Sequence, residues 1–221
     1  MTTFKDRREA GRLLAQQLVA YSNKPNVTVL ALPRGGVPVA YEVAAGLSAP
    51  LDVFVVRKIG TPWNEEYAIG AVASGGTWIL DTPRIRDLRI DNEELHSIIA
   101  RELRELDRRE RLYRGGRPMQ DLTGRIVIVV DDGLATGASM LAAVGAIRHH
   151  SPASIVVATP VASRSACIAV RQVADECVAL QTPEPLYGVG MYYQDFSQTS
   201  DDEVLSLLKQ AAKLRTETVE A

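Results

Sequence analysis

The chain predicts an α/β fold: an open, mainly parallel five-stranded sheet flanked by helices. Three observations carry this reading. Short β-branched runs recur along the 221 residues. Amphipathic helical patterns fall between them, and strands alternating with helices imply parallel pairing through right-handed crossovers. The alternation breaks once, from Lys58 to Gly124, where an inserted hairpin and a long helix are expected.

In chain order, Asp6–Tyr21 has helical spacing of apolar residues and leads into Val27–Leu32, an apolar run bounded by turns that reads as a strand. A helix over Val37–Leu47 and a strand over Asp52–Arg57 follow. Tyr67–Leu80 places Gly75-Gly76 between two apolar segments, a hairpin signal. Asp91–Arg114 opens on Asp91 and Glu94, which fit a capping box, and carries an apolar stripe of Leu95, Ile99, Leu103 and Leu106. Its charges fall into i,i+4 pairs (Arg101/Glu105, Glu105/Arg109, Asp107/Arg111, Glu110/Arg114), so its arginines belong to a solvated, salt-bridged face. Gly115-Gly116 ends it. Strands at Arg125–Asp131, Ser154–Thr159 and Cys177–Leu180 then alternate with helices at Ser139–His149 and Ser163–Ala174, and a last helix spans Asp201–Leu214. Residues 1–221 are expected to form one domain, with 58–124 as a flexible hairpin plus helical insertion and 183–221 as a C-terminal tail.

Composition removes several function classes. A net charge of −2 gives no global reason to bind nucleic acid, and 46% hydrophobic residues allow a real core. No apolar run approaches the ~18 residues needed to span a bilayer. MTTFKDRREAGRLL is charged and lacks the apolar centre of a signal peptide, so a cytoplasmic location is expected. Cys167 and Cys177 read as buried free thiols, and no Cys/His cluster has metal-ligand spacing. His96, His149 and His150 read as surface residues, the last two near a helix C-terminus.

The most informative stretch is VIVVDDGLATGASM, residues 127–140. It is a strand-to-helix loop, the place where open α/β sheets bind ligands. It is not a Walker loop, since its glycine spacing is one short and Ala138 stands where a lysine is needed; the dinucleotide pattern G-x-G-x-x-G is absent. What remains is a division of labour. Thr136, Gly137, Ala138 and Ser139 offer helix N-terminal N–H groups and two hydroxyls to one phosphate. Asp131 and Asp132 can accept hydrogen bonds from a cis-diol. A ribose 5-phosphate spans both ends. Pro33-Arg34-Gly35-Gly36 follows the first strand, and its arginine suits a second anion, unless it is only a tight turn. Arg57 and Lys58 end another strand at the same sheet edge. Together these groups match a sugar with a 5-phosphate and a 1-pyrophosphate.

VIVVDDGLATGASM resembles the phosphoribosyl pyrophosphate (PRPP) motif of the type I phosphoribosyltransferases, and LPRGG resembles their pyrophosphate loop. VRKIGTPWNEEYAIGAV resembles the segment leading into the loop that closes over substrate. The likeness covers roughly residues 25–182, and the whole chain resembles a bacterial group of uncharacterised members. It implies a phosphoribosyltransferase that uses PRPP and Mg²⁺ to ribosylate a nitrogenous base and releases pyrophosphate. By the resemblance, Asp131 and Asp132 hold the ribose, Ala135 to Ser139 hold the 5-phosphate, and Arg34, Gly35, Arg57 and Lys58 face the pyrophosphate. Arg34, Lys58, Asp131 and Asp132 form the catalytic group. Mg²⁺ arrives mainly on PRPP, with Asp131, Asp132 and Asp195 as its carboxylates. A cis Arg34–Gly35 peptide is expected from relatives. YGVGMYYQDF (187–196) loosely resembles the hood over the base, where Tyr187 or Tyr192 either stacks on the base or packs the sheet edge. Ala135 replaces the Asp that 6-oxopurine enzymes place near the purine N7, which argues against hypoxanthine or guanine. A non-catalytic PRPP or nucleotide sensor is the alternative, and a hydrolase of phosphorylated ribose compounds a third. The partners implied are PRPP and a small-molecule base, with a homodimer as the possible assembly and neither nucleic acid nor membrane.

Overall fold

The computed structural model describes residues 3–219. Its elements are α1 (Arg7–Gln17), β1 (Val27–Ala31), α2 (Gly36–Leu47), β2 (Leu51–Val53), β3 (Val56–Thr61), β4 (Asn64–Ala73), β5 (Thr77–Leu80), α3 (Thr82–Asp87), α4 (Asn92–Arg114), β6 (Ile126–Val130), α5 (Ala138–Arg148), β7 (Ser154–Val161), α6 (Arg164–Val170), β8 (Glu176–Gln181) and α7 (Asp201–Val219), with single 3₁₀ turns at Val19–Tyr21 and Val189–Tyr192.

Five strands form one sheet in the order β2-β1-β6-β7-β8, and every pairing is parallel. The β-branched runs place alternate residues on opposite faces. Val27, Val29, Ala31, Ile128, Val130 and Val156 share a core with α1, α2 and α7 residues such as Leu14, Val43 and Leu207. Leu30, Val127, Val129, Ile155 and Val157 share the opposite core with Met140, Val144 and Ile147 of α5 and Val170 of α6. A sheet buried on both faces is the arrangement that continuous apolar strands require.

The connections from β1 and β6 diverge. β1 crosses by α2 to β2 on one side, while β6 crosses by α5 to β7 on the other. The C-terminal ends of β1 and β6 are neighbours, with Ala31 opposite Val130. That boundary is a topological switch point, where such sheets open a crevice. Both loops singled out from the sequence emerge there.

One strand expectation is corrected. The run Asp52–Arg57 is not one strand. Leu51–Val53 completes the parallel sheet, and Val56–Thr61 begins a separate antiparallel sheet in the order β3-β4-β5. The chain turns at Phe54 and Val55, which bury in opposite cores, so an unbroken apolar run conceals the change of sheet. The hairpin around Gly75-Gly76 forms as expected, with both glycines at positive φ.

This antiparallel arm rests on α5 through Ile79, whose side chain occupies the space beside Gly145. It also packs on α4, whose N-terminus is capped by Asp91. Three of the four anticipated ion pairs on α4 form: Arg109–Glu105 at 2.9 Å, Arg111–Asp107 at 2.9 Å and Arg114–Glu110. Arg101 instead pairs with Glu65 and Glu102. The α4 face is not wholly solvated, because Glu102 and Arg114 are buried. Arg114 donates to Asp52, to Val53 O at 2.6 Å and to Ser74 Oγ, joining α4 to the end of β2 and to the arm. His150 also departs from its expected surface position: its ring packs against Gly75 and its Nε2 is buried. Cys167 and Cys177 are free thiols, and burial pushes Cys177 up to about 12. Among the described residues, no helix is long and apolar enough to cross a membrane.

Candidate active site at the β1–β6 switch point

The PRGG loop and the DDGLATGAS loop lie against each other. A methyl group on Gly35 would collide with the Asp132 carboxylate, and one on Gly36 would sit 2.7 Å from Val130 O and 3.2 Å from Asp131 Oδ1. The two glycines are therefore required for close approach rather than for flexibility. The loop's cis peptide joins Pro33 to Arg34, one bond earlier than expected. Gly35 already has helical backbone geometry (φ −58°, ψ −32°) and Val37 N–H donates to Arg34 O, so the first turn of α2 includes it.

Beyond β6 the chain leaves the ladder for three residues and then rejoins it. Leu134 N–H donates to Val161 O at 2.9 Å, and Ser163 N–H donates to Leu134 O at 2.8 Å. Asp131, Asp132 and Gly133 thus form a short excursion anchored at both ends. Ser163 also caps α6 and donates from Oγ to Ala135 O at 2.7 Å. Gly137 follows at φ +74°, a left-handed geometry that favours glycine, and starts α5. Ala135, Thr136, Ala138 and Ser139 are exposed around it. Thr136 Oγ1 accepts from Ala138 N–H at a long 3.4 Å. The result is an open helix N-terminus with small side chains, built to receive an anion.

Electrostatics separate the two acids from ordinary surface carboxylates. Burial pushes Asp131 well above the usual range, and repulsion from Asp132 adds to it. Burial raises Asp132 as well, opposed by the Arg7 guanidinium beside it. Arg7 Nε donates to Asp132 Oδ2 at 2.8 Å, and Tyr193 Oη donates to Asp132 O at 2.6 Å. Burial, reinforced by the Asp132 charge, pushes the Tyr193 phenol up, so it remains a donor.

The cations occupy different positions. Arg34 is partly exposed at the mouth of the crevice, with Nη1 3.8 Å from Asp201 Oδ1 at the start of α7. Tyr113 donates to the same carboxylate at 2.6 Å, and burial with that bond pushes its phenol up to about 12. Lys58 is exposed on β3. Arg57 is committed elsewhere: it pairs with the buried Glu102 at 2.6 Å and ties the arm to α4. Of the hood residues, Tyr187 is 82% exposed, whereas Tyr192 is 3% exposed. Tyr192 is therefore closed to a ligand, because its ring packs with Phe4, Ala10 and Val161. Asp195 is exposed and accepts from Ser197 N–H, which lowers it. Among the described residues, no group of three His, Cys, Asp or Glu could hold a metal ion. The donor set at the crevice is the adjacent pair Asp131 and Asp132, hard oxygens that fit a cation arriving with most of its own ligands.

Two residues escaped the sequence reading. Arg7 lies 125 positions from Asp132, and Tyr193 was passed over for its neighbour. A signal for Arg7 did exist: it follows the N-cap Asp6 at the first position of a helix, where the dipole disfavours a cation.

These features define an α/β protein with an anion cradle and a carboxylate pair at one switch point. Residues 3–195 match the phosphoribosyl transferase domain model, and the chain belongs to that family. Two Mycobacterium tuberculosis proteins, from strains CDC 1551 / Oshkosh and H37Rv, are 46% identical over 211 residues, which is 96% of this chain. Both carry the name "Putative phosphoribosyl transferase". The chain spans about half their length, 47%. The crystal structure of TT1426 from Thermus thermophilus superposes with a TM-score of 0.83 at 44% identity, covering 95% of this chain and 99% of that one. The AQ2163 protein from Aquifex aeolicus shares the fold, with a TM-score of 0.52 at 14% identity over 83% of this chain and 78% of that one.

Proposed function

We propose that this chain is a phosphoribosyltransferase that joins PRPP to a small nitrogenous base and releases pyrophosphate. The observation that carries the reading is the meeting of Gly35 with Asp132: the pyrophosphate-type loop and the carboxylate pair face one crevice at the switch point.

The chemistry follows from the residues. The 5-phosphate sits at the α5 N-terminus, on the N–H groups and hydroxyls of Ala135 to Ser139. Asp131 and Asp132 accept hydrogen bonds from the ribose diol and fix the ring. Arg34 and the Gly35 N–H meet the pyrophosphate, with Lys58 approaching from the arm. As the bond from C1 to pyrophosphate lengthens, positive charge grows on the sugar and negative charge on the leaving group. Half-buried carboxylates near the ribose and cations near the pyrophosphate oppose both charges in fixed positions. Mg²⁺ bound with PRPP would neutralise leaving-group charge, and the carboxylates of Asp131 and Asp132 would help to hold it. Tyr187 is the hood aromatic open to an incoming base. Ala135 has no acid–base group, so proton removal from the base falls to another group or to solvent. The chain is assigned to the cytoplasm on the same reading.

The test is pyrophosphate release from PRPP and Mg²⁺ with a panel of purine, pyrimidine and other heterocyclic bases. Base-dependent release establishes the transferase. Tight PRPP binding with no release for any base favours the sensor, and release without a base favours the hydrolase.

A further inference from the structure

We propose that Arg7 is a positioning residue of the ribose clamp, through which the N-terminal segment and the hood together hold Asp132. This rests on the phosphoribosyltransferase reading and adds a group that neither signature loop contains.

The N-terminal segment and the hood are built as one unit. Phe4 N–H donates to Tyr192 O, Gln194 N–H donates to Phe4 O, both at 2.8 Å, and Asp195 N–H donates to Lys5 O at 3.0 Å. Phe4 packs on Tyr193, and Tyr193 stacks on Phe196 with ring centres 5.0 Å apart. Arg7 is embedded in this unit: its guanidinium lies 3.9 Å from the Phe196 ring centre, and Nη1 donates to Ser197 O at 2.7 Å. The guanidinium also lies 6.0 Å from the Tyr193 ring centre and reaches outward to Asp132 Oδ2 at 2.8 Å. Tyr193 from the same unit reaches the Asp132 carbonyl. Asp132 is thus gripped on side chain and backbone, with Gly35 filling the opposite side.

Attachment of α1 does not depend on the Arg7–Asp132 pair. α1 already buries Ala10 and Leu14 and is capped by Asp6. Arg7 sits at the helix end where a cation is disfavoured. Both side chains of the pair are nearly buried, at 11% and 16% exposure, so the contact is shielded from solvent. Arg7 binds Oδ2 alone, so Oδ1 can accept from a ribose hydroxyl without displacing it. Stacking on Phe196 and the bond to Ser197 fix the guanidinium plane, and that in turn fixes the carboxylate rotamer.

The experiment is calorimetric titration of the full chain with PRPP plus Mg²⁺, ribose 5-phosphate, inorganic phosphate and inorganic pyrophosphate, with thermal melts confirming cooperative folding. Arg7→Ala is expected to weaken the two ribose ligands about tenfold or more, the loss of one charge-assisted bond. Phosphate and pyrophosphate should keep their affinities, because Arg7 touches neither cradle. Arg7→Lys should recover part of the loss. Phe196→Leu should reproduce the same selectivity at smaller size and be non-additive with Arg7→Ala; it also serves if Arg7→Ala does not fold. Parallel weakening of all four ligands would make Arg7 a general cation and overturn the proposal, as would unchanged affinities. A wild-type chain that binds no PRPP would instead overturn the phosphoribosyltransferase reading on which the proposal rests.

Discussion

Two groups of half-buried carboxylates occupy this molecule, and they are treated in opposite ways. Where the arm joins the core, Glu102 meets Arg57 and Arg101, while Asp52 and Glu110 share Arg114. Every acid there has a guanidinium. At the switch point, Asp131 and Asp132 stand side by side with Arg7 on Asp132 alone. Buried charges are tolerated when paired, and like charges in one crevice are costly until something else arrives to satisfy them. The first group holds the structure together. The second holds unfavourable electrostatics at the crevice, where the proposed ribose diol would donate hydrogen bonds to both acids. The contrast teaches that charge pairing, rather than charge density, separates the structural acids of this chain from its candidate functional ones.

The largest expected effect comes from spoiling the cradle without touching either acid group. Gly137→Val forces a β-branched residue into φ +74° and brings its Cβ to 3.3 Å from that of Ala166. PRPP binding should vanish in calorimetry while denaturation stays cooperative. Unchanged affinity would remove the α5 N-terminus from the site. Next is the structural group: Arg114→Ala leaves Asp52 and Glu110 without their partner and should cost about 3 kcal/mol, the low end for breaking a buried pair. Urea denaturation measures this, and a loss below ~1 kcal/mol would mean that the Arg114 pairs do not hold the arm to the core. Comparable in size, but on binding instead of folding, is Asp131→Asn/Asp132→Asn. It should weaken PRPP at least ~100-fold, at about 1.5–3 kcal/mol for each lost charge-assisted bond, and leave phosphate affinity nearly unchanged. If PRPP affinity survived, the diol clamp would be wrong.

The same contrast shows what the sequence could reveal. Strand runs, the Asp91 cap, the Gly75-Gly76 turn and both signature loops are local signals, because a few consecutive residues decide them. The arm's first strand, β3, was concealed inside the run Asp52–Arg57, since Val53, Phe54 and Val55 are all buried and give no polar punctuation. Arg57 was expected at the pyrophosphate because it ends an apolar run, but Glu102, 45 residues away, claims it. The pairing of Arg7 and Tyr193 with Asp132 was hidden for the same reason: long-range pairing is settled by packing, and no spacing rule encodes it. Tyr192 and Tyr193 differ by one position and share a satellite core, yet only the second directs its hydroxyl to the Asp132 carbonyl.

The smallest effect is the most pointed test of the comparison, because it requires a mutation at the candidate active site to stabilise the protein. Asp131 is held well above its ordinary value, chiefly by burial and then by Asp132. For an acid raised on folding, the native state binds more protons than the unfolded state between the two values. Stability contributed by this group therefore falls as pH rises through that window, and the full penalty is present above the folded value. Asp131→Asn removes the ionisation and keeps the shape. The ligand-free variant should gain about 1 kcal/mol at pH 8, within the range typical of relieving a strained functional site. The gain should shrink towards pH 4, near the unfolded value of about 3.9. Saturating PRPP should reverse the order, since ligand at ~100 Kd adds about 2.7 kcal/mol to the wild type. Thermal melts of both proteins at the two pH values, with and without PRPP, read all of this. A variant less stable than wild type at pH 8 without ligand would place Asp131 with the structural acids and erase the distinction between the two groups.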